Sequence, residues 1–378
     1  MSKSITLQAA SVLAASALAA AAMTVAAGAA QADILIGMGT PTSGPVAALG
    51  QEAVRGAQQA VDDINAKGGV LGQKLVLKVG DDACDPRQAV AVANRFVTDK
   101  VAAVVGHLCS GSAIPAAEVY NEDGVVMVTP TATNPVLTER GFKTIFRACG
   151  RDDQQGVVAG RFLAEQYAGK AVAVVDDKLS YGKGLSDVVA KTIEQAGGKI
   201  AYRGSVTQGE KDFSALITKL KEVKTEAVFY GGYHPELGLL VRQARELGLN
   251  ARFVSGDGLN NPEFWSITGA AGEGTLYTDS PSAASHPAAQ ALVQSFTKGG
   301  EQAPGNFAFY SYGVVQLLAQ GWEKAGAVNS DKLAKALRAN AFDTVVGEIR
   351  FDAKGDTVNP AYVLYEWKDG KNVPMAAK

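Results

Sequence analysis

Short apolar runs of strand length alternate with helix-period segments along most of the chain, and no other feature restricts the fold as much. The runs span 34–38, 75–79, 101–105, 125–129, 171–175, 227–230 and 252–254. They are nearly continuously apolar, the mark of strands buried on both faces of a parallel sheet. Between the first two runs Val54, Ala57, Val61 and Ile64 recur at the spacing of one helical face. After Asp85-Pro86, Ala89, Ala93 and Phe96 repeat the pattern. Lys67-Gly68-Gly69 supplies a glycine stop to the first helix. Residues 33–79 thus read strand, glycine-bearing loop, helix, Gly-Gly, strand. Residues 171–206 repeat that order, with Tyr181-Gly182-Lys183-Gly184 in the loop and Gly197-Gly198 closing the helix. The expectation is an α/β protein of two similar doubly wound parallel-sheet lobes.

The first residues stand outside this pattern. Ser4 to Ala32 contains no charge, follows Lys3, is rich in Ala, and ends in Ala30-Gln31-Ala32 before Asp33. That is the layout of a secretory signal peptide over 1–32, cut after Ala32. A membrane anchor is the rival reading, since the stretch is long enough to span a bilayer. It is weakened by the Ala-rich composition and by the lack of a basic cluster after it. No cysteine lies near the cut, which argues against a lipid-modified terminus. The mature chain is therefore expected to be soluble, exported and periplasmic. The full sequence's formal net charge of -2 and its lack of a Lys/Arg block speak against nucleic-acid binding.

Export changes how the three cysteines read. An oxidising compartment permits Cys84 and Cys109 to pair, and such a bridge stabilises by roughly 3 kcal/mol in the chain-entropy model. Cys149 is then left as a buried thiol. A metal site using His107 and Cys109 is the alternative, but three histidines offer no convergent ligand set. No metal and no cofactor are expected.

Catalytic patterns are missing. Gly37-Met38-Gly39 lacks the third glycine of a dinucleotide fingerprint, and there is no Walker A, His-Glu-x-x-His or Gly-x-Ser-x-Gly sequence. An enzyme is the weaker reading. Four polar loops remain, each directly after an apolar run, where doubly wound sheets bind ligands. They are Gly106-His107-Leu108-Cys109-Ser110-Gly111-Ser112, Pro130-Thr131-Ala132-Thr133-Asn134-Pro135, Gly231-Gly232-Tyr233-His234-Pro235-Glu236 and Ser255-Gly256-Asp257-Gly258. A helix is expected from about Ala113, capped by Ser110 or Ser112. The first two loops offer hydroxyls and a helix N-terminus, which suit a carboxylate. Asp257 offers a carboxylate to a cation. Together they match a zwitterion, an amino acid. Taken singly, each loop reads equally well as a cap or a surface turn.

Several longer motifs resemble the periplasmic leucine/isoleucine/valine-binding proteins of ABC importers. They are Asp81-Asp82-Ala83-Cys84-Asp85-Pro86, Gly106-His107-Leu108-Cys109-Ser110, Ala132-Thr133-Asn134-Pro135, Gly209-Glu210-Lys211-Asp212-Phe213-Ser214 and Tyr230-Gly231-Gly232-Tyr233-His234-Pro235-Glu236. The resemblance covers the whole mature chain. It implies the type I periplasmic binding protein fold, two lobes joined by three crossovers with ligand in the cleft between them. It also implies a Cys84–Cys109 disulfide. By motif match, Ser110 and Thr133 stand where the family holds the α-carboxylate, Thr131 where a backbone carbonyl meets the α-ammonium, and Asp257 at the ammonium-binding acid. Tyr181 and Tyr233 come from the second lobe, and Leu108 lies in the first-lobe loop. Two positions depart from the pattern: Asp257 replaces a glutamate and Leu49 a large aromatic. Both bear on side-chain selectivity.

The expected division is 33–151 with 281–360 as lobe 1, and 152–280 with 361–378 as lobe 2. The expected role is hinge closure on an amino acid, branched-chain or otherwise aliphatic, by a monomer that delivers it to a membrane permease. A sensor of the same fold is the rival.

Overall fold

The computed structural model describes residues 32–298 and 304–375, so the signal-peptide reading falls, but for Ala32, outside the described residues. Two sheets organise the chain. The first contains β1 (Ile34–Thr40), β2 (Leu75–Asp81), β3 (Ala103–Gly106), β4 (Met127–Thr129) and β5 (Ile145–Arg147), all parallel, in the order β2-β1-β3-β4-β5. The second contains β6 (Val172–Asp176), β7 (Ile200–Ser205), β8 (Ala227–Gly231), β9 (Arg252–Ser255) and β10 (Leu276–Asp279) in the order β7-β6-β8-β9-β10. The two parallel blocks therefore share one topology, as the repeated element order implies.

The apolar runs form strands because both faces of each sheet are covered. In β3 every residue is buried. Val104 packs with Ala89, Phe96 and Tyr120 on one face, while Ala103 and Val105 join Ile36, Ala57 and Trp322 on the other. In the second sheet Ala173, Val228 and Phe253 face one cluster, and Val174, Phe229 and Val254 the other. The helix Pro86–Thr98 begins where Asp85 accepts from the N–H groups of Arg87 and Gln88 at 2.9 Å, with proline pre-set at its start. Its Phe96 is fully buried, a contribution of roughly 1.5–3 kcal/mol. Gly37 on β1 makes room for it, because a Cβ there would lie 2.7 Å from the ring.

The second sheet is not wholly parallel. β13 (Val363–Lys368) joins β10 antiparallel, and β14 (Lys371–Pro374) completes a hairpin on that edge. A further antiparallel hairpin, β11 (Ala341–Thr344) with β12 (Gly347–Arg350), stands apart.

The chain passes between the sheets three times. After β5 it enters the helix Asp152–Gln166 and β6. After β10 it returns to the helix Asn306–Ala325, which packs on the helix Ala47–Ala66 beside the first sheet. After β12 it crosses again to β13. Among the described residues no helix is long and apolar enough to cross a membrane.

Candidate ligand-binding site

The loops at the carboxyl ends of β3, β4, β8 and β9 meet at one place. A small cavity there is lined by Leu108, Ser110, Thr131, Tyr181, Tyr233, Asp257, Gly258 and Phe307. Six of the residues singled out from sequence thus surround one space. No lysine or arginine lines it.

The first-lobe wall is fixed by bonds along its loops. The helix Ser110–Glu122 starts at Ser110 with Cys109 as its N-cap, three residues earlier than expected. Ser110 is free of capping because its hydroxyl instead accepts from Asn134 N–H at 3.2 Å. Ser112 does not cap either; its hydroxyl has no partner. The Thr131 hydroxyl donates to the Leu108 carbonyl at 3.1 Å, tying the two loops together. Cys84 and Cys109 form a disulfide with Cα atoms 5.6 Å apart, which anchors the loop after β3 to the segment after β2. His107 is no metal ligand. Its ring lies 2.6 Å from Asp82 Oδ2 and 3.0 Å from the Tyr120 hydroxyl, fully buried. No cluster of metal-binding side chains exists among the described residues.

Beneath this wall lies an ion pair that local sequence patterns do not show. Arg147 is fully buried and meets Asp356 at 2.7 Å. Its guanidinium also donates to the carbonyls of Ala132 at 3.0 Å and Asn134 at 2.8 Å, and so holds the Thr131–Asn134 turn from below. Arg151 reaches the other Asp356 oxygen at 2.7 Å. Burial pushes the Asp356 carboxyl up, but the Arg147 charge and the Arg151 hydrogen bond outweigh it and leave it below its ordinary value.

The second-lobe wall is aromatic and acidic. Tyr181 and Tyr233 pack with ring centroids 5.1 Å apart. The Tyr181 hydroxyl donates to Asp257 Oδ1 at 2.6 Å and accepts from Gly258 N–H at 3.1 Å, fixing the acid's position. Burial drives the Asp257 carboxyl up, and the donors around it, led by Tyr181, offset only part of this. The two lobes touch across the cleft. Asn134 Nδ2 donates to the Ser180 carbonyl at 2.6 Å, and the Tyr233 hydroxyl faces the Cys84 sulfur at 3.8 Å.

Two expected residues do not line the cavity. Leu49 is fully buried in the hydrophobic core, on the helix Ala47–Ala66. Thr133 is 1% exposed, and its hydroxyl, turned toward Asp152, has no well-formed hydrogen bond. Phe307, missed in the loop search, stands at the start of the helix Asn306–Ala325. Strand-end loops carry no signal for it, because it arrives on a crossover. Cys149 is a buried free thiol, as its odd number implied.

The sequence matches the family described as periplasmic binding protein over residues 33–372. The chain belongs to that family. It is 47% identical over 334 residues to the leucine-, isoleucine-, valine-, threonine- and alanine-binding protein of Pseudomonas aeruginosa, covering 88% of this chain and 90% of that one. It is 44% identical to Leu/Ile/Val-binding protein homolog 1 of Brucella melitensis, covering 91% and 92%. Among solved structures it resembles a leucine-binding protein from Thermotoga maritima, with a TM-score of 0.84, 30% identity, and coverage of 91% and 98%. A branched-chain amino acid transporter substrate-binding protein from Streptococcus pneumoniae, solved with isoleucine, matches at a TM-score of 0.81 and 30% identity, covering 91% and 100%. The fold is that of the type I binding proteins, and the family is one of solute binders rather than enzymes.

Proposed function

We propose that this chain is the exported substrate-binding component of an ABC importer and closes on an α-amino acid with an aliphatic side chain. The observation that carries this is the sidedness of the cavity. One wall presents Ser110 at a helix N-terminus, where a carboxylate is favoured. The other presents Asp257, which suits an ammonium. Leu108 and Phe307 supply apolar surface for the side chain.

In this reading Ser110 receives the α-carboxylate, the Thr131 carbonyl and Asp257 the α-ammonium, and Tyr181 and Tyr233 close over it. Lobes of 33–151 with 281–360 and of 152–280 with 361–378 move about the three crossovers, and contacts to both lobes favour the closed state. The protein is released after cleavage behind Ala32, acts in the periplasm as a monomer, and hands the ligand to a membrane permease. The relatives' printed specificities support the amino-acid class.

A thermal-shift screen of the mature protein against all amino acids and small carboxylates tests this. Aliphatic L-amino acids should raise the melting temperature, whereas the matching 2-hydroxy acids should not. An equal shift with a 2-hydroxy acid removes the ammonium from the account.

A further inference from the structure

A second cavity opens beside the first. It shares Thr131, Asp257 and Phe307 with it. Pro130 apart, the rest of its lining carries polar groups, at Cys149, Asp279, Ser280, Asn306, Tyr310 and Tyr362, set behind an inner surface that is mostly apolar. All three crossovers contribute, Cys149 from the first, Ser280 and Asn306 from the second and Tyr362 from the third.

The charges around this chamber do not balance. Asp257 and Asp279 both line it, and no lysine or arginine does. Asp279 is 5% exposed. Its oxygens accept from Ser280 N–H at 2.6 Å, Asn260 Nδ2 at 2.6 Å and Asn306 Nδ2 at 3.2 Å, all neutral donors. Burial, then the charge of Asp257, push the Asp279 carboxyl up to about 8. Behind them Asp152 is fully buried with neither oxygen in a well-formed hydrogen bond. Burial and the charge of Asp257 drive it well above the ordinary carboxylate range as well. Arg147, whose charge reaches Asp152, is already engaged by Asp356. The Tyr362 hydroxyl is buried and has no partner.

An aliphatic zwitterion brings one cation to these carboxylates, and its α-ammonium is taken by Asp257. The second acid stays uncompensated, which costs several kcal/mol or holds a proton on it. A neutral amide could bond to the chamber's polar groups but would not discharge it. Acids beside aromatic side chains are the combination that recognises an amine or guanidinium.

We propose that the second cavity is a subsite for a cationic side-chain terminus, so that the ligand class extends to amino acids whose aliphatic stem ends in an amine or guanidinium. This rests on the amino-acid reading above. The α-carboxylate and α-ammonium keep their places, the stem runs past Phe307 and Thr131, and the terminal cation meets Asp279 between Tyr310 and Tyr362. Lysine, ornithine and arginine have this form.

Calorimetry with the mature protein tests it through matched pairs, lysine against norleucine and ornithine against norvaline. The cationic member should bind at least about tenfold more tightly, a difference of about 1.4 kcal/mol. In Asp279→Asn that advantage should shrink below about threefold while norleucine affinity is kept, since only the charge-assisted bond is lost. Tyr362→Phe, which removes only an unpartnered hydroxyl, should weaken lysine and leave norleucine unchanged. If Asp279→Asn fails to fold, the wild-type ratios and Tyr362→Phe still decide. Norleucine binding as tightly as lysine in the wild-type protein overturns the subsite alone, as does glutamine outcompeting lysine. Failure of leucine, norleucine and lysine all to bind overturns the amino-acid reading itself.

Discussion

The first-lobe wall of the cleft is fastened by a buried ion pair and a disulfide, whereas the second-lobe wall and the crossovers carry buried acids with no cation beside them. Arg147 and Asp356 satisfy each other and position the Thr131–Asn134 turn, so the side proposed to receive the carboxylate is already built. Asp257 and Asp279 are held in place by neutral donors yet lack a counter-charge. The contrast suggests an order of events. The ligand's negative end docks on the prepared wall, and its positive end then supplies what the other wall lacks, which favours closure.

The largest break in this contrast comes from the first wall. Asp356→Ala leaves a buried guanidinium unpaired and should destabilise the protein by about 3–5 kcal/mol. Urea titration of the ligand-free form reads this, and ligand affinity should fall with it because the turn loosens. An unchanged midpoint would mean that the carbonyl bonds of Arg147 suffice without the acid.

The second wall should respond in the opposite sense. Asp257→Ala should weaken amino-acid binding by about 2–5 kcal/mol, since the ammonium is buried without its partner. The ligand-free melting temperature should hold or rise, because a costly buried acid has gone. Undiminished affinity by calorimetry rejects Asp257 as the ammonium's partner.

How much of this was legible in the sequence follows from the same division. β3, β6 and β8 read clearly because every residue in them is buried, which leaves an unbroken apolar run. β7 alternates between half-buried and exposed positions at a sheet edge, and β14 is exposed throughout, so neither leaves such a run. Ser110, Thr131, Tyr233 and Asp257 were found because each follows a strand, where the topology collects ligand-binding loops. Phe307, Asp279, Asn306 and Tyr362 escaped because they lie on or beside the crossovers, whose meeting point is set by the whole fold. Asp356 is 209 positions from the arginine it neutralises, beyond the reach of any local pattern.

Acidity provides a third way to separate the walls. Asp356 is held below its ordinary value, so its stabilisation is present above about pH 4 and is lost as pH falls through its lowered pKa. Asp279 is raised to about 8 and, mainly by burial, Asp177 to about 7. Their stabilisation is fully present below the unfolded carboxylate pKa and is lost as pH rises through 7 and 8. Each raised group contributes a slope of at most about 1.4 kcal/mol per pH unit. The ligand-free protein should therefore melt highest near pH 5 and lower by pH 8, and Asp279→Asn should flatten the upper limb. A melting temperature that climbs from pH 5 to pH 8 would contradict the charge imbalance assigned to the second wall.

The smallest effect is expected where the prepared wall has redundancy. Ser110→Ala removes one hydroxyl from the carboxylate side and the acceptor of Asn134 N–H. The helix N-terminus at Ser110 stays, with its unsatisfied N–H groups and positive dipole end. A hydroxyl's bond to a charged carboxylate is worth about 1.5–3 kcal/mol, of which the remaining N–H donors make good a part, so affinity should drop by roughly tenfold. That modest loss, set beside the large loss in Asp257→Ala, is what a donor-rich wall facing a donor-poor one requires. Abolition of binding by Ser110→Ala would show that the hydroxyl, rather than the helix end and backbone, holds the carboxylate, and the asymmetry between the walls would disappear.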